Sequence, residues 1–202
     1  MPSAAPRSKA PNAAARKRLI AELETLNAGL FRQFRDDMRR AEGESAFLRH
    51  SGRYPLCGRG DINRYAVFAE HMAALLAAEG RAGFIVPSGI ATDDTTKDYF
   101  ANLVTSGRLA TLYHFENEDK VFPEVHHAFR FTLLTLGTGG GQAQADLVFF
   151  ARRVEDLADR DRHFALSPRD FSLLNPNSRT CPIFRSRRDA ELTKHIHRRE
   201  PA

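Results

Sequence analysis

The stretch Gly80-Arg81-Ala82-Gly83-Phe84-Ile85-Val86-Pro87-Ser88 decides how the chain is read. Phe84-Ile85-Val86 is an apolar run too short for a helix, preceded by glycine and ended by Pro87, as a buried strand of a parallel sheet would be. Upstream, Asp61 can cap a helix over 61–78. Its apolar stripe of Tyr65, Phe68, Ala69, Met72, Leu75 and Leu76 repeats at three and four residues, and Gly80 stands where helices commonly stop. Downstream, Thr92 or Asp93 caps a second helix through Tyr99, Phe100, Leu103 and Val104 to Gly107, and strands are expected over 109–115, 129–136 and 146–150. Strand, helix, strand at this spacing is a crossover unit, and a short polar loop before the next strand allows an antiparallel return. The middle of the chain is therefore expected to be α/β.

Outward from this centre the signals weaken. Leu19, Leu23, Leu26, Leu30, Phe34 and Met38 lie on one helical face between 12 and 40, as one helix or as two broken near Gly29, packed on a core. From 42 to 60 the periodicity stops and Gly43, Gly52, Pro55, Gly58 and Gly60 accumulate, which reads as a long connection. Ser167-Pro168 and Ser186, the latter with Asp189 three residues on, look like helix starts. Residues 1–11 read as a disordered basic terminus.

Composition sets outer bounds. With 202 residues and 42% apolar content the chain can bury one sizeable core. It has no run of eighteen apolar residues, so no membrane association is expected. Cys57 and Cys181 are far apart and form no disulfide framework, which favours a reducing cytoplasm. A net charge of +5 favours an anionic partner, and the densest positive segment is the last one, with Arg179, Arg185, Arg187, Arg188, Lys194, Arg198 and Arg199.

Several letter patterns fail chemically. The run from Gly137 to Gly141 lacks the Lys-Ser/Thr that would touch phosphate and magnesium, and reads as a flexible strand connection. His126-His127 and the pair His195 and His197 lack the spacing of a zinc helix, so no metal site is expected. Ser88-Gly89 is not a nucleophile elbow, because Val86 occupies the first glycine position. Phe122 is different: it stands apolar in a charged loop, 115–123, between two strands, and on the residues alone it folds back as a lid on the core.

Taken in order, the helix over 61–78, the segment from Gly80 to Ser88, the next helix, Val121-Phe122-Pro123 and a closing strand resemble the second half of the restriction-modification DNA adenine (N6) methyltransferases. The likeness is greatest to the large type IIG and phage-defence enzymes, to which 10–20 and 175–186 are also similar. The resemblance covers nearly the whole chain. It implies the second half of a Rossmann-like, S-adenosylmethionine-dependent sheet with added helices at both ends: strands five, six and seven, with the seventh inserted antiparallel. It implies a partial methyltransferase domain over 12–150, and a helical and loop extension over 151–202 leading toward a DNA-recognition region not contained here.

Such enzymes hold S-adenosylmethionine through a glycine turn after the first strand and hold the flipped adenine through an Asn/Asp/Ser-Pro-Pro-aromatic motif. Neither occurs in this sequence, which has no Pro-Pro dipeptide. The resemblance thus implies a cytoplasmic fragment without catalytic residues that binds no cofactor alone. Its implied partners are double-stranded DNA and either the missing N-terminal half or another defence-system subunit. Phe122 would stack on the flipped base, and Arg187 and Arg188 would meet the DNA backbone. The alternative is a non-enzymatic nucleic-acid-binding or assembly subunit of a defence system; a more distant one is an unrelated α/β enzyme.

Overall fold

The computed structural model describes residues 10–137 and 144–199. Residues 1–9 and most of the glycine run, from 138, lie outside the described residues. Contacts divide the chain into two units, 1–51 and 52–202.

The first unit is two helices, α1 (Ala13–Leu26) and α2 (Ala28–His50). Asn12 caps α1 by accepting from the Ala15 N–H. Asn27 makes the break, donating its own N–H to the Leu23 carbonyl and accepting from the Leu30 N–H at 3.0 Å. The expected break is therefore real, but it falls at Asn27 and not at Gly29. The expected connection from residue 42 is corrected: α2 runs on to His50, because Ala41, Glu42, Glu44, Ala46, Leu48 and Arg49 form helix readily and Gly43 alone costs only about 1 kcal/mol. Within this unit no residue of either helix is buried.

The second unit is a five-stranded mixed sheet with helices, so the α/β expectation holds. In chain order it contains α3 (Arg64–Leu75), β1 (Ala82–Pro87), α4 (Gly89–Thr92), α5 (Lys97–Thr105), β2 (Leu109–Glu116), β3 (Arg130–Leu136), β4 (Ala145–Ala151), β5 (Phe164–Leu166), α6 (Pro168–Leu174) and α7 (Arg187–Arg199). The strand order is β1-β3-β2-β4-β5. β3 is antiparallel to both β1 and β2, which therefore run the same way, and β4 pairs parallel with β2. β5 returns antiparallel along β4, so the segment after 151 adds a strand to the same sheet. The strand ends at Pro87, Glu116 and Ala151 thus share one edge of the sheet, where ligands of α/β proteins commonly bind.

Two expectations about the opening stretch fail. β1 is not buried within a parallel sheet: it is an edge strand, paired on one side and antiparallel, with Ile85 exposed. The helix before it spans Arg64–Leu75, starts after Asn63 rather than Asp61 with no side-chain capping bond, and turns another face inward. Its buried residues are Ala66, Val67, Ala69, Glu70 and Ala73, while Phe68, Met72 and Leu75 are exposed. Small side chains let the helix backbone approach closely: the Tyr99 hydroxyl donates to the Ala69 carbonyl at 3.0 Å, and the Arg108 guanidinium to the Ala73 carbonyl at 2.6 Å. Glu70 is buried but satisfied, its carboxylate accepting from the amides of Leu56 and Cys57 and so fixing the loop before α3.

The core lies under α5 and the central strands, with Tyr99, Phe100, Leu103, Leu112, Phe115, Leu134, Leu136, Leu147 and Phe149 almost fully buried. α6 begins as expected, Ser167 and Asp170 forming a capping box. At the start of α7 the Ser186 hydroxyl accepts from the Asp189 N–H and donates to its carboxylate. Both cysteines are buried and free, and burial raises their thiols far above the usual range. No described helix is long and apolar enough to cross a membrane.

Candidate functional site: the aromatic edge of the sheet

The loop between β2 and β3 is organised by one residue. Asn117 has no exposed surface, and its side chain makes three hydrogen bonds within the loop. Nδ2 donates to the carbonyls of Phe122 at 3.0 Å and Val125 at 2.9 Å, and Oδ1 accepts from the Phe122 N–H at 2.9 Å. A short 3-10 turn over Asn117–Asp119, closed by Lys120 at a φ of +52°, brings Phe122 back toward the sheet.

Phe122 is neither a sealed lid nor a free ring. It is 36% exposed and packs edge-on against Phe131 at a centroid distance of 4.9 Å. Phe131 in turn stacks on Phe115 at 5.2 Å and 6°, so the aromatic column runs from the core to the surface. Part of an aromatic ring is therefore exposed at the strand ends on a packed aromatic support.

Beside it the chain is strained. Phe150 has a φ of +60°, where a bulge in β4 shifts the register with β2. Three contacts hold it there: its N–H donates to His114 Nδ1 at 3.3 Å, its carbonyl accepts from Arg162, and the Arg185 guanidinium lies 4.3 Å over its ring. To accept that N–H, His114 must be neutral, and burial followed by the nearby Arg130 charge pushes its pKa down to about 4. The adjoining cavity, about 600 Å³, carries many charges that are already matched. Arg152 bonds Glu116, Arg153 bonds Asp119 and Arg162 faces Asp159, while Asp156 accepts from the amides of Arg152 and Arg153. It offers no surplus positive charge for an anion.

The two arginines singled out by sequence are placed differently. Arg187 uses its guanidinium to bond the carbonyls of His163 at 3.1 Å and Arg160 at 3.2 Å, tying α7 to the loop before β5. Arg188 is exposed and has no polar partner among the described residues. The His126 and His127 rings lie close together at a tilt, and His127 faces Glu118, but the described residues contain no group of three metal-ligating side chains.

The described glycines provide no cradle for S-adenosylmethionine. At Gly89, which follows β1, the place of a Cβ is already taken by Asp93 and by the Tyr65 hydroxyl, Gly137 meets the Ala110 side chain, and Gly83 lies on the open outer edge of β1. What sequence reasoning missed is Asn117, which stands among Glu116, Glu118 and Asp119 and carries no local sign that it is buried. No protein-family model matches the chain, and no curated protein matches it.

Proposed function

We propose that this chain is the base-capturing part of a DNA adenine methyltransferase of the restriction-modification or phage-defence type, which moves a methyl group from S-adenosylmethionine to the adenine amino nitrogen. The carrying observation is the insertion of antiparallel β3 between β1 and β2, together with the Asn117-clamped loop that presents Phe122 at the strand ends. That insertion is the arrangement which the resemblance of the sequence to the second half of such enzymes implies.

The chemistry fits the placement. An adenine inside a duplex does not expose its amino group, so an enzyme of this class extrudes the base and holds it against π-faces. Phe122 supplies one such face. The cofactor turn and the Pro-Pro motif are absent from these 202 residues, so the chain alone binds no cofactor and methylates nothing. The unpaired edge of β1, with Ile85 exposed beside it, is where further strands of the sheet would join. Double-stranded DNA is the partner, with Arg188, and the donors that Arg187 has to spare, meeting phosphate.

Two measurements test this. Calorimetry of the purified chain with S-adenosylmethionine should detect no binding, and saturable micromolar binding would overturn the assignment of cofactor contacts elsewhere. Co-expression with a polypeptide carrying the glycine turn and the Pro-Pro motif should give methyl transfer to adenine in DNA, and Phe122→Ala should lower it about tenfold. Methylation indifferent to Phe122→Ala would remove Phe122 from the site.

A further inference from the structure

The segment between β4 and β5 is a strap held almost wholly by polar bonds. It is anchored at both ends by buried residues, Ala151 and Phe164, and nothing from 152 to 162 is buried between them. Val154 is 65% exposed, and Leu157 alone packs on core side chains, against the cluster of Phe115, Val148 and Ala151. The strap nevertheless supplies half of the residues that line the cavity of about 600 Å³ beside Phe150, namely Arg152, Arg153, Asp156, Asp159, Asp161 and Arg162. A cavity wall with so little apolar anchorage depends on its polar fastenings.

His163 makes the fastening at the far end. Its Nδ1 lies 2.8 Å from Asp146 Oδ2, and its Nε2 lies 2.9 Å from the Leu157 carbonyl oxygen within the strap. Both partners are acceptors. A carbonyl has no proton to give, and the Asp146 carboxylate already accepts from the Tyr113 hydroxyl at 2.7 Å. Burial, and then this bond, push the Tyr113 hydroxyl up to about 12, so it stays the donor. A neutral imidazole has one N–H and one lone pair and serves only one of the two acceptors; an imidazolium, with two N–H groups, serves both. The charged and titratable groups packed about the ring are Asp146 on β4, Tyr113 on β2, which meets it edge-on at 5.6 Å, and Arg187 on α7, which bonds its backbone carbonyl. Asp156, Asp159, Asp161 and Arg162 stand further along the strap.

We propose that residues 152–162 form a lid over this cavity, latched by His163 while its ring carries both protons. Closed, the latch ties the lid to β4 through a charge-assisted bond to Asp146 and a second bond to the Leu157 carbonyl. Loss of one ring proton leaves a lone pair facing an acceptor, so one of the two bonds is broken. The lid then hangs on Leu157, on Arg162 bonding the Phe150 carbonyl at 3.4 Å, and on Arg187 bonding the Arg160 carbonyl at 3.2 Å. Opening therefore increases as the proton is lost, that is, as pH rises. The latch is independent of the methyltransferase reading, since it needs no ligand and no second polypeptide.

The test uses the full chain, labelled with ¹⁵N, between about pH 6 and pH 8, the range in which histidine side chains change charge. At the acid end the ring nitrogens of His163 should both carry protons in the ¹⁵N spectrum. The lid is reported by the Arg152 and Arg153 amides, which donate to Asp156, and by the Arg187 amide, which donates to the Asp161 carbonyl. Their protection from hydrogen exchange, corrected for the intrinsic rate, should fall about tenfold as pH rises, while Leu147 and Val148 in β4 change little. His163→Gln should show the low protection already at the acid end and lose its pH dependence, and Asp146→Asn, which keeps the imidazole but removes the charge it faces, should also lower protection there. A single ring N–H at the acid end with the lid amides protected would overturn the proposal. So would protection that is independent of pH in the native chain, an equal fall at Leu147 and Val148, or a pH dependence that persists in His163→Gln.

Discussion

Replacing Asn117 by alanine should unfasten the loop that carries Phe122 while leaving the sheet folded. The side chain makes three hydrogen bonds of 2.9–3.0 Å to backbone groups of Phe122 and Val125. Each is worth about 1 kcal/mol net, so the closed loop should lose about 3 kcal/mol, on the order of 100-fold in its closing equilibrium. The Phe122 N–H reports this directly, because its acceptor is Asn117 Oδ1. Native-state hydrogen exchange should show that amide exchanging on the order of 100-fold faster in Asn117→Ala, with β2 and β4 core amides little changed. Asn117→Asp keeps the acceptor but turns a carboxylate toward two carbonyl oxygens, so its loop should close only as the acid is protonated at low pH. An unchanged Phe122 amide in Asn117→Ala would refute the claim that this side chain holds the loop.

Phe122→Ala should cost about 2 kcal/mol of stability, less than the ~3–5 of a fully buried ring because over a third of this one faces solvent, and Phe122→Tyr should keep most of the reconstituted activity. A melting loss near the full-burial value with activity per folded molecule intact would restore the lid reading. His114 gives the fold an acid limit: its folded pKa near 4 lies below the unfolded value of about 6.5, so the neutral form's contribution is complete above about pH 6.5. It is lost as pH falls toward 4, about 3 kcal/mol in all, and urea midpoints measured across that window should fall less steeply in His114→Gln. Replacing Arg187 and Arg188 together should flatten the salt dependence of DNA binding by up to about two units of slope, Arg188→Ala alone by about one. An unchanged slope would make them ordinary surface charge.

Much of the α/β order was legible because it is written locally. Apolar runs closed by proline and glycine, as at Phe84-Ile85-Val86-Pro87, and paired caps such as Ser167 with Asp170 act within a few residues, so they survive without knowledge of the fold. The alternation of strand and helix, the return of 129–136 and the start of α7 belong to this class. The aromatic character of the loop at Phe122 was visible for the same reason.

What the tertiary structure alone decided is which surfaces meet. The larger residues of α3 look like a core stripe, yet the small face is buried, because the Tyr99 hydroxyl and the Arg108 guanidinium reach its backbone carbonyls and only Ala69 and Ala73 leave room. Asn117 reads as one more polar loop residue, and its role exists only once the loop folds back so that two carbonyls and an amide converge on it. Asp93, Tyr65 and Gly89 are separated in sequence and meet because β1 ends beneath α3 and α4, where a missing Cβ at Gly89 lets the two side chains approach. Residue spacing encodes a helix face or a strand run, whereas convergence of distant side chains depends on sheet order, and the sequence carries no local period for that.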